Sequence, residues 1–179
     1  MDRVHTFLES RHSVQIGASI VHGDYRFGYC LSADGRIAAV LDWELCTLGD
    51  PMADVGYLMN NWMQPGESAM GREAPPTAAG GLPDRDALIS RYAERSGRDV
   101  SMVEYYRAFS YWRLAAIVEG VLARYLAGQM GGHDDPSVFR VQVDSLAEAA
   151  DGADDRQGSN QHETRARKPD PAANRGRTK

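Results

Sequence analysis

Two carboxylates bracket a short apolar ribbon in this chain. Asp24 follows His22-Gly23, and Asp42 closes the run Ile37-Ala38-Ala39-Val40-Leu41. Converging acids of this kind can divide labour: one accepts a proton from a hydroxyl while the other holds a divalent cation. Arg26, two residues past Asp24, could offset developing negative charge or simply pair with Asp24, Glu44 or Asp50. His22 could orient the loop or be a buried ring bonded to backbone. No second histidine stands at ligand spacing from it, so the sequence gives no zinc-type site there. Glu44 is either a second acid near a metal or a surface residue.

The elements that must position these groups are short. Ala18 to Val21 reads as a strand, His22 to Gly28 as a loop, Tyr29 to Ser32 as a second strand and Ile37 to Leu41 as its return. Asp34-Gly35 is a strong hairpin turn signal. A hairpin brings its ends together, so Asp24 and Asp42 should lie at one end of the ribbon. Gly28 should ease a tight turn. An acid at the end of an apolar strand is costly to bury without donors or a cation, which argues for a metal-facing Asp42.

The paired motif His22-Gly23-Asp24 and Leu41-Asp42-Trp43-Glu44 resembles the catalytic core of the aminoglycoside phosphotransferase and choline kinase-like family, a branch of the protein-kinase-like fold. The longer run His22-Gly23-Asp24-Tyr25-Arg26, with Gly49-Asp50-Pro51 and Asp54, is similar to the phosphotransferase domains associated with acyl-CoA dehydrogenases. The resemblance implies an α+β fold: a mostly helical C-terminal lobe with a small β-hairpin carrying the catalytic loop. It implies Asp24 as catalytic base, Asp42 as magnesium ligand and ATP as phosphoryl donor to a hydroxyl of a small molecule. It also implies that Asp54 bonds the catalytic-loop backbone. Asp50 reads as the cap of the helix that Pro51 opens.

Two departures stand out. Where the family has an asparagine five positions after the base, this chain has Tyr29, and a neutral phenol is a poor ligand for a hard cation. Only Met1 to Gly17 precede the catalytic strand, without a glycine-rich phosphate loop, and the only lysines are Lys168 and Lys179. The residues that would grip the nucleotide from above are therefore not among these. The alternatives are a truncated fragment, a degenerate, non-catalytic kinase-like binding module, or a missing lobe supplied by another chain.

The rest of the chain divides into a lead-in (1–17), the lobe (18–150) and a tail (151–179). Helices are expected over Met1–Arg11, Pro51–Met63, Arg85–Ser96, Val100–Gln129 and Pro136–Ala150, with Asp84 and Gly97 as caps. Thr47 to Asp50 reads as loop, and Gln64 to Pro83 as a long loop, either lid or linker. Trp43 and the aromatic stripe of the long helix read as packing. Glu104, Arg107, Arg113, Glu119 and Arg124 are candidate pocket charges. The tail lacks periodicity and reads as disordered. A hydrophobic share of 42% supports a core, and a net charge of −5 argues against nucleic acid. Cys30, read as a small buried hydrophobe, and Cys46 have no metal spacing. No apolar run suits a signal peptide or membrane span, so the expected setting is cytoplasmic.

Overall fold

The computed structural model describes residues 2–10, 16–67, 69, 74–129 and 135–166. Helix α1 (Asp2–Ser10) buries Val4, Phe7 and Leu8 from one face, as their helical spacing requires. Two antiparallel ribbons follow. Strand β1 (Ser19–Val21) pairs with β4 (Thr47–Gly49), and β2 (Cys30–Ala33) pairs with β3 (Arg36–Val40). The second ribbon is the hairpin expected at Asp34-Gly35, and Asp34 takes a φ of 51° there. The first was not expected, since Thr47 to Asp50 had read as loop. It forms because the backbone groups of β1 need a ladder partner, and β4 returns in register with Ile20 opposite Leu48.

The helical body is α2 (Met52–Asn61), α3 (Arg85–Ser96), α4 (Val103–Leu126) and α5 (Pro136–Ala166). Asp84 caps α3 by accepting from Ala87 N at 2.8 Å, and Gly97 ends it in the left-handed region. Helix α4 packs against α2 on one side and α5 on the other. At the α2–α4 crossing the helices almost touch: a Cβ on Gly56 would meet backbone of Tyr106 at 2.7 Å. Asn60 and Arg107 lock the same crossing, Asn60 Nδ2 donating to Arg107 O at 2.9 Å and Arg107 Nε to Asn60 Oδ1 at 3.0 Å. Arg107 also donates twice to Glu104, at 2.8 and 3.1 Å, in a buried pair. Arg107 therefore bridges α4 to α2 with Glu104 of its own helix as its ion-pair partner, while Glu119 and Arg124 are exposed.

Helix α5 corrects the expected end of order at Ala150. It continues to Ala166, and Leu146, Ala150 and Ala153 are fully buried at steps of four and three. That stripe fixes the helix against α4 and α1 beyond the point where composition suggested disorder. The last part of the expected tail, 167–179, lies outside the described residues.

Candidate active site

Residues 22–24 are held from three directions. Asp54, on the first turn of α2, accepts from His22 N at 2.7 Å and Gly23 N at 2.9 Å. Arg113 of α4 donates to Gly23 O. The buried His22 ring spans the loop and the hairpin: Nδ1 accepts from Asp24 N at 3.2 Å and Nε2 faces Leu41 O at 2.8 Å. With Nδ1 an acceptor, the ring proton sits on Nε2 and donates to Leu41 O. His22 thereby ties the Asp24 loop to the residue before Asp42. Gly23 is obligatory at φ 85°, because a Cβ there would meet Leu45 O at 2.7 Å.

Asp50 anchors the approach to this loop. Its Oδ1 accepts from Met52 N at 2.8 Å and caps α2, one residue later than the expected start; its Oδ2 accepts from Ile16 N at 3.0 Å. The lead-in, the β1–β4 ribbon and α2 thus meet at one buried acid.

The Asp24 side chain is mostly covered, with 22% of its surface exposed. Its Oδ1 is buried and accepts no hydrogen bond; the nearest charge is Arg26 Nε at 3.6 Å. Tyr57 of α2 directs its phenol at the same carboxylate. Burial first, and then that acceptor, push the Tyr57 ionisation well above the ordinary phenol range. Asp24, Arg26, Tyr57, Asn60 and Asn61 form the polar side of a cleft of about 530 Å³. Phe27, Met63, Pro75 and Leu114 form its apolar wall. A carboxylate that lines such a cleft can accept a proton from an alcohol placed there.

Asp42 departs from expectation. It is exposed, so the argument from the cost of burial does not apply. Instead it stands in the left-handed region at φ 68°, ψ 54°, between the end of β3 and a 3-10 turn over Trp43–Leu45. That conformation is uncommon outside glycine and is tolerated best by Asp and Asn. Tyr29 also differs: it ends a 3-10 turn over Phe27–Tyr29, and Tyr29 O accepts from Leu41 N at 2.9 Å. The Arg26 guanidinium draws the Tyr29 ionisation down and the Asp42 carboxylate pushes it up, with an upward net shift. The Arg26 guanidinium lies 4.2 Å from the Tyr29 ring centre. Burial opposes the Arg26 charge, but Tyr29 and then Asp24 raise its pKa overall.

Other residues take bland places. Glu44 is exposed, as is Cys46, and Cys30 is half-buried rather than core. Trp43 caps His22 with ring centres 4.7 Å apart. Sequence reasoning passed over Tyr57, Asn60 and Asn61 because α2 was read for its apolar face alone. Asp54, Tyr57 and Asn61 step by three and four along the opposite face, which is the signal that could have found them.

Among the described residues no three or more His, Cys, Asp or Glu side chains group together as a metal site. A magnesium ion needs only one or two carboxylates when phosphate and water complete its octahedron. Asp42 fits that demand as a single carboxylate; the phenol beside it adds no ligand. No helix among the described residues is long and apolar enough to cross a membrane.

Residues 6–89 match the family model described as "Phosphotransferase enzyme family". The chain is similar to acyl-CoA dehydrogenase family member 11 of Homo sapiens, 31% identical over 134 residues, covering 73% of this chain and 17% of that protein. It is also similar to acyl-CoA dehydrogenase family member 10 of Mus musculus, 34% identical over 155 residues, covering 84% and 14%. A crystal structure from Ralstonia eutropha JMP134, assigned as a candidate aminoglycoside phosphotransferase, superposes with a TM-score of 0.70 at 30% identity. That match covers 85% of this chain and 48% of the other. The chain therefore spans under a fifth of these curated relatives and about half of the solved structure, whose mixed fold it shares.

Proposed function

We propose that the chain, whose residues 6–89 match the phosphotransferase enzyme family, is the catalytic, acceptor-binding half of a small-molecule kinase. The reaction is transfer of the γ-phosphoryl group of ATP to an alcohol. The observation that carries this reading is a carboxylate, Asp24, lining the 530 Å³ cleft on a loop fixed from three directions. An acceptor hydroxyl placed there donates its proton to Asp24, which aligns the oxygen for in-line attack. Asp54, Arg113 and His22 fix the loop, so this alignment needs no rearrangement. Asp42 is the residue that holds magnesium, which when bound neutralises phosphate charge. Arg26 offers a further positive charge beside the base.

The residues that grip the nucleotide come, on this reading, from a lobe seated on the exposed face of the two ribbons. Ile20, Leu31, Ile37, Leu45 and Leu48 support that assignment, since all are exposed apolar side chains. The test is acceptor-dependent turnover of magnesium-ATP with aminoglycoside, choline-like and hydroxyacyl alcohols. Asp24→Asn should lower turnover by about 10²–10⁴-fold, the usual contribution of a positioned base. Turnover untouched by Asp24→Asn would overturn the assignment. Tyr29, standing where the family has a metal-binding amide, favours a second reading: a non-catalytic binding module. Binding of an alcohol without any ATP turnover, even with a nucleotide lobe supplied, would select it.

A further inference from the structure

One wall of the cleft carries an amide whose orientation the protein has already fixed. Asn60 is buried, with 4% of its surface exposed, and lines the cleft together with Asp24 and Tyr57. Its Oδ1 accepts from Arg107 Nε at 3.0 Å, and its Nδ2 donates to Arg107 O at 2.9 Å. A guanidinium nitrogen only donates and a backbone carbonyl only accepts, so this amide cannot turn over. The Arg107 guanidinium is itself held by Glu104, at 2.8 and 3.1 Å, which backs the clamp with a buried ion pair. One N–H of Nδ2 is taken by Arg107 O; the second has no partner within the protein among the described residues.

That leaves Asn60 a pure donor toward the cleft. Its neighbour Asn61 is less selective: its Nδ2 donates to Tyr57 O at 2.9 Å, it is only half-buried, and it keeps an oxygen as well as a second N–H. A buried N–H that meets no acceptor bears the full cost of its lost hydration. An oxygen on a bound molecule offsets that cost, and a methylene does not.

We propose that Asn60 is a specificity-determining residue of the acceptor cleft: its fixed N–H selects alcohols that carry a second, hydrogen-bond-accepting oxygen over those with an alkyl group in its place. The inference rests on the reading that Asp24 receives the reacting hydroxyl. With one oxygen at Asp24 and the other at Asn60, the body of the molecule lies along Phe27, Met63, Pro75 and Leu114.

The test is a titration of the whole chain, followed by ¹H–¹⁵N nuclear magnetic resonance, with two matched series of probes. Methoxyalkanols carry the second oxygen, and alkanols put a methylene there, each in spacers from ethylene to hexylene. At the best spacer the methoxyalkanol should bind about fivefold more tightly than its alkanol, the usual contribution of one hydrogen bond. Asn60→Asp keeps the size of the side chain and removes the N–H, and should bind the two series alike. Equal binding by the parent while the Asp24 amide responds, or a preference that Asn60→Asp retains, would overturn the Asn60 assignment and leave Asp24 as the partner of the hydroxyl. If neither series moves Asp24 or Asn60, both readings fall.

A second measurement needs no variant. Of the two Asn60 Nδ2 protons, the one bonded to Arg107 O should keep its shift, and the other should move downfield with the methoxyalkanol alone. If both stay fixed, or the alkanol moves the second as far, Asn60 does not read the oxygen.

Discussion

The α2–α4 crossing and the two β-ribbons use apolar residues in opposite ways. At the crossing Gly56 gives up its side chain so that two backbones can approach, and Met52, Val55 and Met59 vanish from solvent. Polar groups there are paired within the protein, as in the Asn60–Arg107–Glu104 network. In the ribbons, Ile20 and Leu48 face each other across the ladder and remain 68% and 77% exposed. Strands with that composition ordinarily line a core. The helical body is thus closed by its own side chains, whereas the surface that carries the hairpin and Asp42 presents apolar groups to solvent. The site lies on the seam. The Asp24 loop is fastened to the closed half through Asp54 and Arg113, and Asp42 rides on the open half.

The largest test of this contrast is at Arg107. Arg107→Met removes two bonds to buried Glu104 and one to Asn60. Breaking a buried pair by deleting one partner costs about 3–5 kcal/mol, read as a drop in the urea midpoint at unchanged slope. A Glu104→Leu, Arg107→Met double variant should recover part of that loss. If the single variant costs under about 1 kcal/mol, a range typical of exposed pairs, the crossing is not the closed half described above. Gly56→Ala comes next, because its methyl would overlap the Tyr106 backbone. Overpacking costs about 1–3 kcal/mol, so the thermal midpoint should fall by several degrees with no change in the Asp24 loop's chemistry.

These contrasts also explain what could be read from residue order. Asp54 was legible through the family resemblance and His22 as a buried ring bonded to backbone, because a loop fixed by backbone bonds needs such groups; the roles of Asp24 and Asp42 rest on the resemblance. The Asp50 cap and the hairpin turn were legible because capping and turn chemistry are local. The β1–β4 pairing was not, since three residues carry too little pattern and the partner strand lies far away in the chain. The continuation of α5 hid in small residues: Ala150 and Ala153 bury little area, so their spacing is faint beside the charged residues around them. The exposure of Asp42 and of the ribbon leucines was the deeper miss. An apolar run says that a surface should be covered, and residue order alone does not tell whether the chain in hand covers it.

The ribbon face should respond far less to mutation. Ile20→Thr with Leu48→Thr alters two largely exposed residues, and threonine, being β-branched, suits a strand at both. The expected change is within about 0.5 kcal/mol, as for surface positions in general. A loss that appears only at high protein concentration would mean that the face is already covered by a second copy.

The smallest expected effect is electrostatic and lies on the helical side, where Arg85 of α3 donates to Glu67 at 2.6 Å. That pairing, against a partial cost of burial, holds the Glu67 carboxyl below its ordinary range. A carboxyl whose pKa is depressed by folding binds protons more readily in the unfolded chain. Its contribution is complete above the unfolded value, near the usual glutamate pKa, and is lost as pH falls through the folded value. Urea midpoints of the parent chain should therefore fall more steeply with acid below about pH 4.5 than those of Glu67→Gln, the ordinary region for glutamate. The difference should be slight, because Glu67 is 38% exposed and water screens the pair. If the two curves run parallel through that window, Glu67 does not anchor the segment behind the cleft, and the closed half ends at α2.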